Sequence, residues 1–285
     1  MSDFVSRFVD AEGLPLHVLE RPGPGPRVLG LHGWLDHAHT FDLLAAHLPA
    51  DWHLALLEFR GMGQSGHLGP GAQYAYGDHL LDVEWALDGL GWPAAHLLGH
   101  SLGGVVAVDY AAARPQRVRS LTLIEALGPR GGAPEKVVER VREAVEAAKR
   151  RPNRKVHTSV EAAAKRLQET NPGLPDTAAL LLACFGTEPV EGGVAFTFDP
   201  RHRRRFANVP DEAQVLALMR AVEAPARLIV GTHGMPMPED QKAVRLAALR
   251  ADGPHPVEGG HHVHLEKPAE VAKLVAEWIS ASCRP

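Results

Sequence analysis

Short apolar, β-rich runs alternate with helical segments through the first 125 residues, and few architectures accept that pattern. The runs Arg27 to Leu31, Trp52 to Leu57, His96 to Leu98 and Val118 to Ile124 are separated by helical patterns at His37 to Leu48, Tyr74 to Leu90 and Leu102 to Arg114. Strands joined by helices read as a mostly parallel sheet covered by helices, an α/β fold. Two earlier runs, Phe4 to Val9 and Leu14 to Leu19, flank Glu12-Gly13 and are expected to pair as an antiparallel hairpin. With 285 residues and 45% hydrophobic content the chain can fill a sizeable core, as one large domain or two small ones.

The rhythm breaks after Gly128-Pro129-Arg130-Gly131-Gly132, and from about Pro134 to Ala221 the sequence turns helical, charged and irregular. Residues 130–221 are therefore expected to form an inserted helical cap on a core made of 1–129 and 222–285. From Arg130 to Arg205 there are 15 Lys and Arg against 10 Asp and Glu, so the insert is basic within a chain whose net charge is -4. The sheet pattern resumes with Arg227 to Val230, a helix from Glu239 to Arg250, a weak strand at His255 to Val257 and a helix from Pro268 to Ser280.

The slightly acidic balance argues against nucleic acid or an anionic membrane as partner and leaves a small molecule as the expected one. No leader-like apolar stretch opens the chain and no membrane-length apolar run occurs. Cys184 and Cys283 stand far apart, so a reducing, cytoplasmic setting without disulfides is expected. The basic runs Lys149-Arg150-Arg151 and Arg201-His202-Arg203-Arg204-Arg205 are expected to be solvated surface, with selection of anionic substrates as the sharper alternative.

Gly99-His100-Ser101-Leu102-Gly103 matches G-x-S-x-G between an apolar strand and a helix, where the motif has a mechanical meaning. Such a turn strains the serine backbone, and the flanking glycines let strand and helix approach closely. Ser101 is thus the candidate nucleophile. Gly61-Met62-Gly63-Gln64-Ser65-Gly66 matches G-x-G-x-x-G, but His67-Leu68-Gly69-Pro70-Gly71 is loop sequence where a dinucleotide site needs a helix.

With this elbow, nearly the whole chain resembles the α/β-hydrolase superfamily, in particular the serine-hydrolase-like subgroup related to epoxide hydrolases and haloalkane dehalogenases. The resemblance rests on His32-Gly33-Trp34-Leu35-Asp36 through Phe41-Asp42, and on Glu58-Phe59-Arg60-Gly61-Met62-Gly63-Gln64-Ser65, with Glu for the usual first Asp. The loop Gly260-His261-His262-Val263-His264-Leu265-Glu266-Lys267-Pro268 completes it. It implies an eight-stranded, mostly parallel sheet with helices on both faces and an inserted cap.

It further implies His261 as general base, the N–H groups of Trp34 and Leu102 as oxyanion donors, and His32 as a structural residue of its turn. A serine on the elbow, where those relatives have aspartate, directs the reading to ester or related acyl hydrolysis through an acyl-enzyme. Trp34 and His100 are expected to line the substrate pocket. His262 and His264 are expected to pack around the base; the competing reading, that histidines spaced as His261, His262 and His264 are could chelate zinc, is set aside because no metal-ligand set is evident in the sequence. No cofactor is expected.

The acid departs from the pattern. After the strand Leu228-Ile229-Val230-Gly231 the family's carboxylate position is occupied by Gly234. Some relatives place the acid after the sixth strand, and Glu125 closes the run Leu121-Thr122-Leu123-Ile124. A carboxylate there is costly to bury unless paired, and His261 would be its partner. Asp240 and Glu239 are the alternative acids. Against an ester hydrolase stand a non-catalytic ligand-binding protein of the same fold, suggested by Gly234, and a cofactor-free perhydrolase or carbon–carbon hydrolase using the same triad.

Overall fold

The structure, a computed structural model, describes residues 4–129, 131–150, 153–204 and 209–283. Its centre is a strand with no exposed residue, Ala95–His100. Numbered along the chain, the strands before the insertion are β1 (Val5–Ala11), β2 (Leu14–Arg21), β3 (Arg27–Leu31), β4 (His53–Leu57), β5 (Ala95–His100) and β6 (Val118–Ile124). After it come β10 (Ala226–Gly231) and β11 (Asp252–Val257), and the insertion itself holds β7 (Val156–His157), β8 (Thr187–Val190) and β9 (Gly193–Phe196). The large sheet has eight strands in the order β1-β2-β4-β3-β5-β6-β10-β11. The pairs from β4 to β11 are parallel, while β2 runs against both its neighbours. The hairpin turns at Glu12 and Gly13, both with positive φ, as a tight β-turn between right-twisted strands requires.

Parallel strands bury both faces, and each face meets its own helices. The helices are α1 (Asp42–Ala45), α2 (Tyr76–Gly89), α3 (Leu102–Ala113), α4 (Val137–Lys149), α5 (Val160–Thr170), α6 (Asp176–Gly186), α7 (Glu212–Ala221), α8 (Glu239–Leu249), α9 (Val263–Glu266) and α10 (Pro268–Ser282). One core cluster joins Leu97 and Leu121 to Val83 of α2, Val106 of α3, Met219 of α7 and Leu249 of α8. The other joins Leu98 and Ile124 to Leu44 of α1 and to Val271, Val275 and Ile279 of α10. The inserted segment 130–221 thus divides in its packing, since α7 contributes Val215 and Met219 to the main core. A separate cluster of small residues, Ala163, Ala164, Ala178, Ala179, Leu182 and Ala183, holds α5 against α6 and reaches Leu265 on the histidine loop.

Two local expectations change. The stretch His37 to Leu48 forms a 3-10 turn at Ala38–Phe41 and only one turn of α1, and its first N–H groups are met by carboxylates. His37 donates to Asp36 and Ala38 to Glu58. The segment expected to be a helical cap is not purely helical: β7, β9 and β8 form a three-stranded antiparallel sheet turned by Gly192 and Gly193 at positive φ.

Candidate active site

The end of β5 delivers Ser101 with φ 51° and ψ -116°, outside the ordinary regions for a side-chain-bearing residue. The neighbours over-determine that conformation. A Cβ on Gly99 would lie 2.5 Å from the Cα of Gly104, and one on Gly103 would lie 2.0 Å from the carbonyl oxygen of Leu31. Only glycine lets α3 start this close to the sheet. The Ser101 N–H is anchored at 3.0 Å on the Ile124 carbonyl of β6.

Ser101 Oγ lies 3.0 Å from His261 Nε2, and His261 Nδ1 lies 3.1 Å from Glu125 Oε2. Glu125 also takes a positive φ, 53°, where the chain leaves β6. Its carboxylate is only 3% exposed, and it accepts from the N–H of Gly231 through Oε1 and of Met235 through Oε2, each at 2.7 Å. A carboxylate so placed is an acceptor, so Nδ1 carries the imidazole proton and Nε2 is left to accept from the serine hydroxyl. Gly234 completes the arrangement: a Cβ there would sit 2.1 Å from Glu125 Oε1. The residue missing from the family's acid position leaves the space that Glu125 fills.

The alternative acids do not converge on His261. Glu239 is 85% exposed and pairs with Lys242, and Asp240 is exposed on the same helix. His32 is buried, donates from Nδ1 to Gly33 and accepts the Phe59 N–H on Nε2, so its role is to hold the turn. That turn lies against the elbow, because a Cβ on Gly33 would fall 3.6 Å from Ser101 Cβ. Leu102 is the first residue of α3, where N–H groups have no partner within the helix.

Two pocket expectations are corrected. A cavity of about 450 Å³ opens beside Ser101, walled by Leu102, Val105, Leu127, Leu228, Val230 and Met237, and neither Trp34 nor His100 borders it. Trp34 is 53% exposed, and its indole N–H reaches the His202 carbonyl of the cap. His100 is buried beneath the elbow, where Nε2 donates to the His261 carbonyl at 2.9 Å and burial pushes its proton affinity well down.

The basic runs do not line this cavity either. Arg151 and Arg205 fall outside the described residues. Arg201 is not a solvated charge but a latch, pairing with Asp199 and donating to the carbonyls of Leu68, Gly69 and Ala72. His202 is buried, stacks on Tyr74 at 3.9 Å and donates to the Arg60 carbonyl, which fastens the cap to the core. The cavity's own cations are neutralised, Arg245 by Glu212 and Lys242 by Glu239. Sequence reasoning missed the cavity wall, since nothing marked out Val105 within the helix expected from Leu102 to Arg114 or Leu228 within the strand expected from Arg227 to Val230.

An eight-stranded sheet with a serine on a strained elbow and a histidine and carboxylate aligned behind it defines the alpha/beta hydrolase class. The chain belongs to the alpha/beta hydrolase fold family, which matches residues 26–268. It is 31% identical over 280 residues to a serine hydrolase-like protein of Danio rerio, covering 90% of this chain and 82% of that one. It is 28% identical over 289 residues to the 2-(acetamidomethylene)succinate hydrolase of Mesorhizobium japonicum, covering 98% and 96% respectively. Among solved structures, a hypothetical protein of Pseudomonas aeruginosa PAO1 superimposes with a TM-score of 0.88 at 33% identity, over 97% of this chain and 98% of that one. The chain is thus a hydrolase of the serine hydrolase-like kind. Among the described residues no helix is long and apolar enough to cross a membrane.

Proposed function

We propose that the protein hydrolyses carboxylic esters or closely related acyl compounds with a mainly apolar acyl group, through an acyl-enzyme on Ser101. The observation that carries this reading is the aligned chain Ser101–His261–Glu125, with contacts of 3.0 and 3.1 Å. As Ser101 Oγ attacks the carbonyl carbon, His261 Nε2 takes its proton and Glu125 stabilises the imidazolium through Nδ1–H. The tetrahedral oxyanion accepts from the N–H groups of Leu102 and Trp34. The imidazolium then protonates the departing alcohol, leaving the acyl ester on Ser101. Water, deprotonated by His261, cleaves that ester and frees the acid.

The cavity supports the apolar preference, because its walls are aliphatic and its two cations are paired. We assign a lid role to the part of the insertion around His202, which meets the Trp34 indole and the Arg60 carbonyl of the core. A second reading comes from the Mesorhizobium relative, whose name describes a hydrolase of a small acidic substrate; dicarboxylate derivatives therefore belong in any substrate panel.

A fluorophosphonate probe tests the reading directly. Stoichiometric labelling that mass spectrometry maps to Ser101, absent in Ser101→Ala and slowed at least a hundredfold in His261→Ala, is the expected result. An unlabelled but folded wild type would turn the assignment toward a non-catalytic binder of the same fold.

A further inference from the structure

Three imidazoles, two buried and one half-buried, meet behind the elbow and take no part in the proposed chemistry. His100 comes from the end of β5, while His262 and His264 come from the loop before and the first turn of α9. One ring nitrogen from each lies within 4.8 Å of the other two. In all three rings Nδ1 is buried and has no hydrogen-bond partner among the described residues. A buried polar atom left without a partner costs about 1–3 kcal/mol, so three such rings gathered in one cluster call for an occupant.

The other nitrogen of each ring fixes what that occupant must be. His100 Nε2 donates to the His261 carbonyl, which leaves Nδ1 as a bare lone pair. His262 Nε2 lies 3.1 Å from Asn171 Oδ1, and the orientation of that amide is set by its own Nδ2 donating to the Leu167 carbonyl. His262 therefore also donates through Nε2 and offers its Nδ1 lone pair. His264 Nε2 lies 3.0 Å from Thr40 Oγ1, a hydroxyl that can accept. Carbonyl, carboxamide and hydroxyl acceptors behind imidazoles are the partners that orient metal-bound histidines and raise their basicity. Burial holds all three rings in the neutral form that binds metal, and Asp36, whose charge acts on His262, has an unpartnered buried Oδ2 on this side of the molecule.

We infer that His100, His262 and His264 bind one divalent transition-metal ion of the zinc type through their Nδ1 atoms. Three imidazoles suit zinc, cobalt, nickel or copper better than calcium or magnesium. Ligand nitrogens about 2.0–2.1 Å from zinc stand roughly 3.3–3.5 Å apart, so the rings need close by only about 1–1.5 Å. His100 precedes the nucleophile, His262 follows the base, and Asn171 belongs to the cap. The ion ties these three segments together and supplies no step of the hydrolysis proposed above, on which this inference does not depend.

The test uses the full chain without a histidine tag, stripped with chelator and dialysed against Co²⁺ and, separately, Zn²⁺. One equivalent is expected to remain bound, with visible cobalt d–d absorption of a low-coordinate site and a raised Tm. His262→Gln and His264→Gln should each weaken binding at least tenfold. Because the chain has 17 histidines, His233→Gln, an exposed position, serves as the control that should bind as wild type does. Less than one equivalent bound by wild type, affinity undiminished in His262→Gln, or an equal loss in His233→Gln would overturn the site in favour of a water molecule donating to the free nitrogens. Should His264→Gln fail to fold, the half-buried His262 decides alone.

Discussion

In the proposed triad Glu125 and Gly234 act together, the acid being moved to the end of β6 while its contact with His261 is kept. The sequence pattern leads to Glu125 because an acid closing an apolar strand needs a partner, yet it gives no view of why Gly234 is small. That reason is spatial, since a side chain at 234 would occupy the Glu125 carboxylate. Glu125→Gln is expected to lower kcat/KM about 10,000-fold, as loss of the orienting carboxylate does in other serine hydrolases, with KM little changed. Glu125→Ala combined with Gly234→Asp should recover at least tenfold over Glu125→Ala alone. A double variant no better than the single one would show that position 234 cannot orient His261. Glu58, the family's aspartate position, has its own consequence. Burial would raise its pKa, but the hydrogen bond and charge of His17 and the Gln64 N–H outweigh that and bring it down to about 2. A carboxyl lowered on folding stabilises fully above its unfolded pKa near 4.5, and that contribution disappears as pH falls from about 4.5 to 2. Urea unfolding across this range should lose up to about 3 kcal/mol in wild type, and Glu58→Gln should flatten the dependence.

At the scale of elements, strands and helices of the core were legible because apolar periodicity decides them, whereas α1 and the cap sheet were not. His37 to Leu48 read as one helix, but its start is a 3-10 turn at Ala38–Phe41, with the His37 and Ala38 N–H groups held by Asp36 and Glu58. Strands of two to four residues, such as β7 and β9, are too short to show any period. The latch on the cap was read as solvated charge because sequence cannot tell that Arg201 has three carbonyls to meet. His202 makes that latch sensitive to acid. Burial, reinforced by the nearby His79, lowers its pKa to about 4, against a weaker opposing bond to Arg60. A histidine lowered in the closed form binds its proton more readily when the cap opens, so closure weakens as pH falls from about 6.5 to 4. The hydrogen-exchange protection factor at 199–204, taken against the intrinsic rate at each pH, should fall between pH 7 and pH 5, and an unchanged protection factor would contradict the latch. The wall of the cavity makes a separate claim at this scale. Val105→Phe should cut kcat/KM for octanoyl esters at least tenfold and leave acetyl esters within about twofold, read from a chain-length series.

For the whole molecule, the alternation of strand and helix settled the sheet, and the family loops placed Ser101 and His261 on it. What pattern could not supply was the third dimension of the insertion. The division of 130–221 into a cap and an α7 that packs on the core depends on contacts between segments far apart in sequence. The same holds for the meeting of His100 with His262 and His264, which come from opposite ends of the core. Since the cavity's cations are paired, hydrolysis of neutral esters should vary little with ionic strength, whatever the basic character of the cap. The central claim is that Ser101, His261 and Glu125 act as one catalytic unit, and a p-nitrophenyl ester panel on wild type, Ser101→Ala, His261→Ala and Glu125→Gln tests it most directly. The account predicts turnover by wild type and a loss of several orders of magnitude in all three variants, each of them folded. An active Glu125→Gln would contradict the relocated acid, and a folded wild type inert to the whole panel, dicarboxylates included, would contradict the hydrolytic reading itself.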